Sequence, residues 1–289
     1  MKKILVTGAK GQLGSELQVL SKNYTQYQFV FTDVDELDIT NLDTLKDFFL
    51  TNSIDYIFNC AAYTAVDKAE EEKDLANVLN HQAVEYLLLA SEKQQSKFIQ
   101  ISTDYVFGGV HNLPLHEDLP TNPESVYGLS KLKGEQVALE SKRAIVVRTS
   151  WLYSSIGHNF VKTIRKYGQE RKELTVVFDQ IGTPTYARDL AKALLDILDY
   201  SEQNNSFEKG IYHFANEGVL SWYDFAKEIC ELSNINIDIL PVLSNKFPTP
   251  AKRPAYSVLD KNKIKQTFGL KIPYWKESLK ECVEILDQE

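Results

Sequence analysis

Cysteine is scarce in this chain: three residues, Cys60, Cys230 and Cys282, lie far apart and never form a Cys-x-x-Cys pair. That excludes a disulfide framework or a zinc knuckle, and each is expected to be a small buried or partly buried side chain. The five histidines include no His-x3-His pair, and no Gly-x-Ser-x-Gly elbow occurs, so zinc-hydrolase and serine-hydrolase readings lose support. Basic tracts are missing too. With 32 Lys and Arg against 40 Asp and Glu the net charge is -8, which makes duplex nucleic acid an unsuitable partner. No apolar run reaches the roughly 18 residues of a membrane span, and the apolar stretch after Met1-Lys2-Lys3 is too short for a signal-peptide core. A cytoplasmic protein without a membrane partner is expected. No internal repeat is visible.

What is present is ordinary globular material: 289 residues, 43% apolar and 25% charged, enough for one large α/β unit with an appended lobe. Short β-rich runs alternate with helix-like stretches. The runs are Ile4–Val6, Phe29–Phe31, Tyr56–Phe58, Phe98–Ile101, Ala144–Val147 and Leu174–Phe178; between them Gln12–Ser21, Asn41–Thr51, Glu71–Gln95 and Ser125–Ser141 carry helical periodicity. Alternation of this kind predicts a Rossmann-type α/β fold, a doubly wound parallel sheet. Beyond about residue 150 the pattern loosens into helices (Tyr186–Tyr200, Ser221–Ser233, Trp275–Asp287) and short strands such as Gly210–Phe214. A smaller C-terminal lobe over the C-terminal edge of the sheet is expected, where open α/β folds bind ligands.

Directly after the first run stands Gly8-Ala9-Lys10-Gly11-Gln12-Leu13-Gly14. Glycines at this spacing permit a tight turn and let a pyrophosphate approach a helix N-terminus, whose free N–H groups favour anions. Asp33, at the end of the second strand, is placed to accept a hydrogen bond from an adenosine ribose, and Asp38-Ile39 to flank an adenine. The third strand runs into Asn59-Cys60-Ala61-Ala62-Tyr63-Thr64, whose small side chains would let a cofactor lie against the strand end. The fourth ends in Ser102-Thr103-Asp104-Tyr105-Val106-Phe107, which groups hydroxyl, carboxylate and phenol at the C-terminal edge.

Tyr127 and Lys131 stand four apart on one helix face, and a nearby ammonium favours phenolate, so the phenol is a candidate general acid. The spacing also arises by chance. A second pair, Tyr223 and Lys227, belongs to the terminal lobe and reads as a surface helix pair, whereas Tyr127 follows the Thr103 strand.

These motifs resemble the extended, nucleotide-sugar branch of the short-chain dehydrogenase/reductase superfamily, and within it the dTDP-4-dehydrorhamnose reductase family. The resemblance covers nearly the whole chain. Its most specific strings are Ser102-Thr103-Asp104-Tyr105-Val106-Phe107 and Arg148-Thr149-Ser150-Trp151, joined by Val66-Asp67-Lys68-Ala69-Glu70, Asp179-Gln180 and Arg253-Pro254. The resemblance implies reduction of the C4 keto group of a dTDP-4-keto-6-deoxy-L-hexulose to dTDP-L-rhamnose, with NADPH or NADH as hydride donor. Tyr127 would protonate the C4 oxygen, Thr103 would hydrogen-bond it, and Lys131 would hold the nicotinamide ribose. Gly8, Lys10, Gly11, Gln12, Leu13, Gly14, Asp33, Asp38, Ile39, Ala61, Ala62 and Tyr63 would complete the cofactor site. Thr64, Asp104, Tyr105, Trp151, Asn159, Gln180 and Arg253 would meet the sugar nucleotide, Arg253 as a phosphate clamp in a Pro-flanked loop. Asn80 fits the structural asparagine of the superfamily; His81 beside it departs from the usual small residue. The expected division puts residues 1–152 and about 174–210 in the dinucleotide-binding domain, and about 153–173 and 211–289 in the sugar-nucleotide-binding lobe.

Some members of that family dimerise around magnesium held by glutamates. Here Glu16, on a first helix expected to be exposed, matches one such position, but Arg188 stands at another, which argues against a metal site. A monomer or a metal-independent homodimer is expected. A 4,6-dehydratase would need a glutamate where Tyr105 stands. A C4 epimerase, another 4-ketoreductase or a non-catalytic NAD(P)-binding regulatory subunit are the alternatives.

Overall fold

A computed structural model of the chain describes residues 1–109 and 112–288. Five strands alternate with helices in the first half: β1 (Lys2–Thr7), β2 (Tyr27–Thr32), β3 (Tyr56–Asn59), β4 (Lys97–Thr103) and β5 (Ala144–Thr149). The shorter strands that follow are β6 (Leu152–Tyr153), β7 (Glu173–Val177), β8 (Ile181–Gly182), β9 (Thr185–Tyr186), β10 (Gly210–His213), β11 (Leu220–Ser221) and β12 (Asp238–Val242). The helices are α1 (Gln12–Ser21), α2 (Leu42–Thr51), α3 (Lys73–Asn77), α4 (Ala83–Ala90), α5 (Val126–Glu140), α6 (Phe160–Glu170), α7 (Ala187–Gln203), α8 (Trp222–Leu232), α9 (Asn262–Phe268) and α10 (Trp275–Leu286). None of them is long and apolar enough to cross a membrane.

The central sheet has six parallel strands in the order β10-β5-β4-β3-β1-β2. Strands covered on both faces read as unbroken apolar runs, because alternate side chains enter different cores. In β1, Ile4 and Val6 pack with Leu13 and Leu17 of α1 and Leu190 and Leu194 of α7, while Leu5 packs on the other face with Leu45 of α2 and Leu87 of α4. Strand order reverses at β1, whose neighbours are β2 and β3, so a crevice opens between the C-terminal ends of β1 and β3.

Two expected strand placements are corrected. The run Leu174–Phe178 forms as β7, but it pairs with β12 in the smaller lobe and does not join the sheet. Its burial explains this: Leu174 and Val176 are buried beside Ile239 while Glu173 and Thr175 are exposed, a one-sided strand unlike the two-sided strands of the sheet. Conversely Gly210–His213, expected in the lobe, is the outermost strand of the sheet, in parallel register with Ile145–Arg148. The lobe has its own core, in which Val161 and Ile164 of α6, Phe225 and Ile229 of α8, and Leu279 of α10 meet. Cys230 and Cys282 are buried there, and Cys60 is partly buried in the larger part.

Candidate active site

The turn between β1 and α1 is built for close approach. Gly8 has φ +64°, and a Cβ there would stand 2.7 Å from the Ala61 backbone at the end of β3; at Gly14 it would stand 2.3 Å from the Gly8 carbonyl. Gly11 is the N-cap of α1 and supplies no side-chain cap, so the N–H groups of the first turn remain for an anion. Leu13 itself is core. These features fit a pyrophosphate on the protein's own geometry. At the end of β2, Asp33 accepts the Lys10 N–H at 2.9 Å and the Val34 N–H at 2.9 Å, while Lys10 Nζ reaches Asp35 at 2.7 Å and Glu36 at 3.3 Å. Asp38 is turned inward on Thr40, accepting from its N–H and its hydroxyl, and Ile39 is buried with Leu5, Leu37 and Leu45.

Across the crevice, polar side chains lock the strand ends together. Thr7 donates to Asn59 Oδ1 at 2.6 Å, and Asn59 Nδ2 to Gln100 at 2.7 Å. Asn80, in a π-helical turn, accepts from the Tyr63 N–H, donates to the Tyr63 carbonyl and to Ser130 of α5, and so pins the Ala61–Thr64 segment to that helix. The Tyr63 phenol is held by Glu72 at 2.5 Å; Thr64 is exposed.

Helix α5 starts at a Ser125 cap that accepts the Gly128 N–H, which places Tyr127 in its first turn and Lys131 one turn later. Both are buried. Lys131 Nζ donates to the Ile101 carbonyl at 2.7 Å, and burial brings the ammonium down to about 8 against the pull of Glu135 and Cys60. Burial pushes the Tyr127 phenol above its ordinary value, with Asp104 and Tyr105 adding to the rise. The neighbouring Thr103 hydroxyl, rather than Lys131 as the spacing suggested, offsets part of it. Thr103, the last residue of β4, donates to Asp104 Oδ1 at 3.0 Å and accepts the Tyr105 N–H at 3.2 Å. Tyr105 stands edge-on to Tyr127 with ring centroids 5.4 Å apart. Thus the Thr103 strand end and the Tyr127 helix face form one cluster; Tyr223 lies away from it on α8 of the lobe.

From the lobe, Arg253 donates to the Tyr105 phenol at 3.3 Å and to Asp67 Oδ2 at 2.6 Å. Asp67 also accepts the Ala251 N–H, so it ties the 251–253 loop to the larger part. Asp67 belonged to a motif in the sequence, but this bridge, across 186 positions, was not legible there. A cavity of about 430 Å³ opens beside this loop, lined by Gln180, Ser244, Phe247 and Arg253 among others, with Gln180 donating to Ser244.

Asn159 stands at the start of α6. It caps α6 by accepting the Lys162 N–H, and its amide donates to Ser154 and to Gln12. Trp151 lies half-buried against Trp222, a partner that no spacing in the sequence announced. Glu16 is corrected outright: it is fully buried, accepting from Ser154 at 2.6 Å and from Arg188 at 2.8 Å.

A family profile described as the RmlD substrate binding domain matches residues 1–288. A dTDP-4-dehydrorhamnose reductase of Aggregatibacter actinomycetemcomitans is 40% identical over 97% of this chain and 98% of its own. Among solved structures, a dTDP-4-dehydrorhamnose reductase of Clostridium acetobutylicum superposes with a TM-score of 0.93 at 43% identity, covering 99% of each chain. The enzyme of the same name from Bacillus anthracis, solved in complex with NADP, superposes at 0.92 with 39% identity, covering 99% of this chain and 100% of its own.

Proposed function

Because the chain belongs to the RmlD substrate binding domain family of dTDP-4-dehydrorhamnose reductases, we propose that it reduces the C4 keto group of a dTDP-4-keto-6-deoxy-L-hexulose to dTDP-L-rhamnose, using NADPH or NADH. The observation that carries the reading is the juxtaposition of Thr103, Tyr127 and Lys131 at the C-terminal edge of β4, on the same side of the sheet as the uncapped glycine turn. A reduced nicotinamide dinucleotide, its pyrophosphate held at that turn, would supply the hydride for C4. Tyr127 delivers the proton: its raised phenol keeps the O–H intact near neutral pH, and burial keeps water from competing for it. Lys131, still largely cationic at neutral pH and seated on the Ile101 carbonyl, would hold the nicotinamide ribose. Arg253, beside the cavity at Gln180, presents a fork to the diphosphate, for which Asp67 is the competing carboxylate.

The test is loss of the reduced-nicotinamide absorbance when dTDP-4-keto-6-deoxy-L-lyxo-hexulose is added, run with each cofactor. Tyr127→Phe should lower turnover by on the order of a hundredfold or more while cofactor still binds. Tyr223→Phe should leave it near the parent value; equal losses in the two variants would refute the assignment of the phenol.

A further inference from the structure

The Thr103 hydroxyl carries one hydrogen and two lone pairs, and it faces three neighbours. The Tyr105 N–H is a donor only and takes one lone pair at 3.2 Å. Asp104 Oδ1 lies at 3.0 Å, and the third side is turned to the Tyr127 phenol. If Asp104 is a carboxylate, it accepts the single hydrogen, and the hydroxyl turns a lone pair to the third side. A ketone oxygen arriving there meets a lone pair. If Asp104 is a carboxylic acid with its proton on Oδ1, it donates to the second lone pair. Both lone pairs are then filled, and the hydrogen has only the third side left to point at.

We propose that Asp104 is a positioning residue for the reduction: its acid form turns the Thr103 hydroxyl into a hydrogen-bond donor to the C4 oxygen, and its carboxylate form withdraws that donor. The inference rests on the reductase reading of this site.

The surroundings of Asp104 hold it in the acid form more readily than water would. The side chain is almost completely buried, and Oδ2 has no hydrogen-bond partner among the described residues. Burial raises the carboxyl to about 6, against the favourable hydroxyls of Thr103 and Ser257 and the backbone N–H groups of the turn. Facing it are Tyr127 from α5, Tyr105 from its own turn and Ser257 from the loop of the lobe. The cations of these elements are engaged elsewhere, Lys131 on the Ile101 carbonyl and Arg253 on Tyr105 and Asp67. Among the described residues, no ammonium or guanidinium is paired with the carboxyl.

The experiment is kcat/KM against pH between about 5.5 and 7.5, below the range in which Lys131 titrates. NADH is the donor, because the 2′-phosphate of NADPH itself titrates near 6. The parent protein should lose activity with rising pH, approaching about tenfold per unit above the midpoint. In Asp104→Asn the amide donates to Thr103 at every pH, so the profile should be flat through this window, with NADH binding followed by fluorescence unchanged. A parent-like limb in Asp104→Asn overturns the proposal, as does a variant that binds NADH but stays inactive throughout. Thr103→Val keeps the β-branched shape without a hydroxyl to orient, and its residual activity should also lose the limb; if it keeps the limb, Thr103 is not the group through which Asp104 acts. Parent turnover with a flat profile defeats this inference alone, whereas no turnover at any pH defeats the reductase reading.

Discussion

The indole of Trp151 lies flat on that of Trp222, with ring centroids 3.7 Å apart and 12° between the planes. Trp151 reaches this position from a left-handed backbone, φ +46°, which disfavours a bulky residue. Gly182 also lies against it: a Cβ there would come within 2.7 Å of two indole carbons and of the Ser257 hydroxyl. The stack and the missing Cβ together hold a strained tryptophan at the wall assigned to the sugar. An aromatic pair contributes about 0.5–1.5 kcal/mol beyond its buried area, so Trp222→Leu should raise KM for the sugar nucleotide about two- to tenfold. The KM for NADPH should not move, and the near-ultraviolet circular dichroism of the paired indoles should collapse. A Trp222→Leu protein with unchanged substrate KM would show that the stack serves packing only.

Lys10 is held by Asp35 and Glu36, all three exposed, while Asp33 is tied to the backbone of the glycine turn. A 2′-phosphate would therefore meet one lysine among acids, and a 2′-hydroxyl would meet a preorganised Asp33 carboxylate. Use of both cofactors is expected. Lys10→Ala should raise the Michaelis constant for NADPH more than that for NADH, and steady-state kinetics with each cofactor decide it. Equal changes would exclude Lys10 as a phosphate contact.

Glu16 and Arg188 meet across 172 positions, the carboxylate fully buried and the guanidinium partly so, with Glu281 on the outer face of Arg188. A guanidinium already neutralises this carboxylate and repels a divalent cation from it. Exhaustive EDTA treatment should leave turnover and sedimentation unchanged. Arg188→Met should leave Glu16 buried without its countercharge and cost on the order of 3 kcal/mol, read by denaturant unfolding. Loss of activity with EDTA, restored by magnesium, would mean that other carboxylates complete a site.

His213 is buried in β10, with Nδ1 3.0 Å from the Leu115 carbonyl and Nε2 without a hydrogen-bond partner among the described residues. The carbonyl requires Nδ1 to carry the hydrogen. Burial and Arg148 bring the imidazole down to about 3, so between about 6.5 and 3 the unfolded chain binds a proton that the folded chain refuses. The stabilisation is present above about 6.5 and is lost as pH falls towards 3, by up to about 1.4 kcal/mol per pH unit. Asp104, Glu117 and Asp189, all raised by burial, act with the opposite sign. The difference between the parent and His213→Asn, which retains a donor for Leu115, isolates the histidine. Unfolding free energies from pH 7 to 4 should fall less steeply in the variant, and parallel curves would contradict a neutral buried His213.

Signals carried by residues close in sequence were legible without the structure. The glycine turn after Ile4–Val6 reads directly, because strand, turn and helix N-terminus are contiguous and their backbone demands are local. Tyr127 and Lys131 read equally well, since helix geometry alone sets their common face. The parallel sheet of β1 to β5 follows from alternation, because short right-handed crossovers leave such a chain few alternatives, while the order of its strands came from the structure. Pairings over long separations were decided only by the tertiary structure. Glu173–Val177 and Gly210–His213 are both short β-rich segments, and which one joins the sheet depends on whether one face or two can be covered, a property of the neighbours. Likewise the sequence shows Glu16 on an amphipathic helix, but its burial depends on Arg188 arriving from α7, and Trp151 is placed by Trp222 and Gly182. A charge or a strained aromatic is tolerated where distant partners compensate it, and local propensity carries no record of those partners.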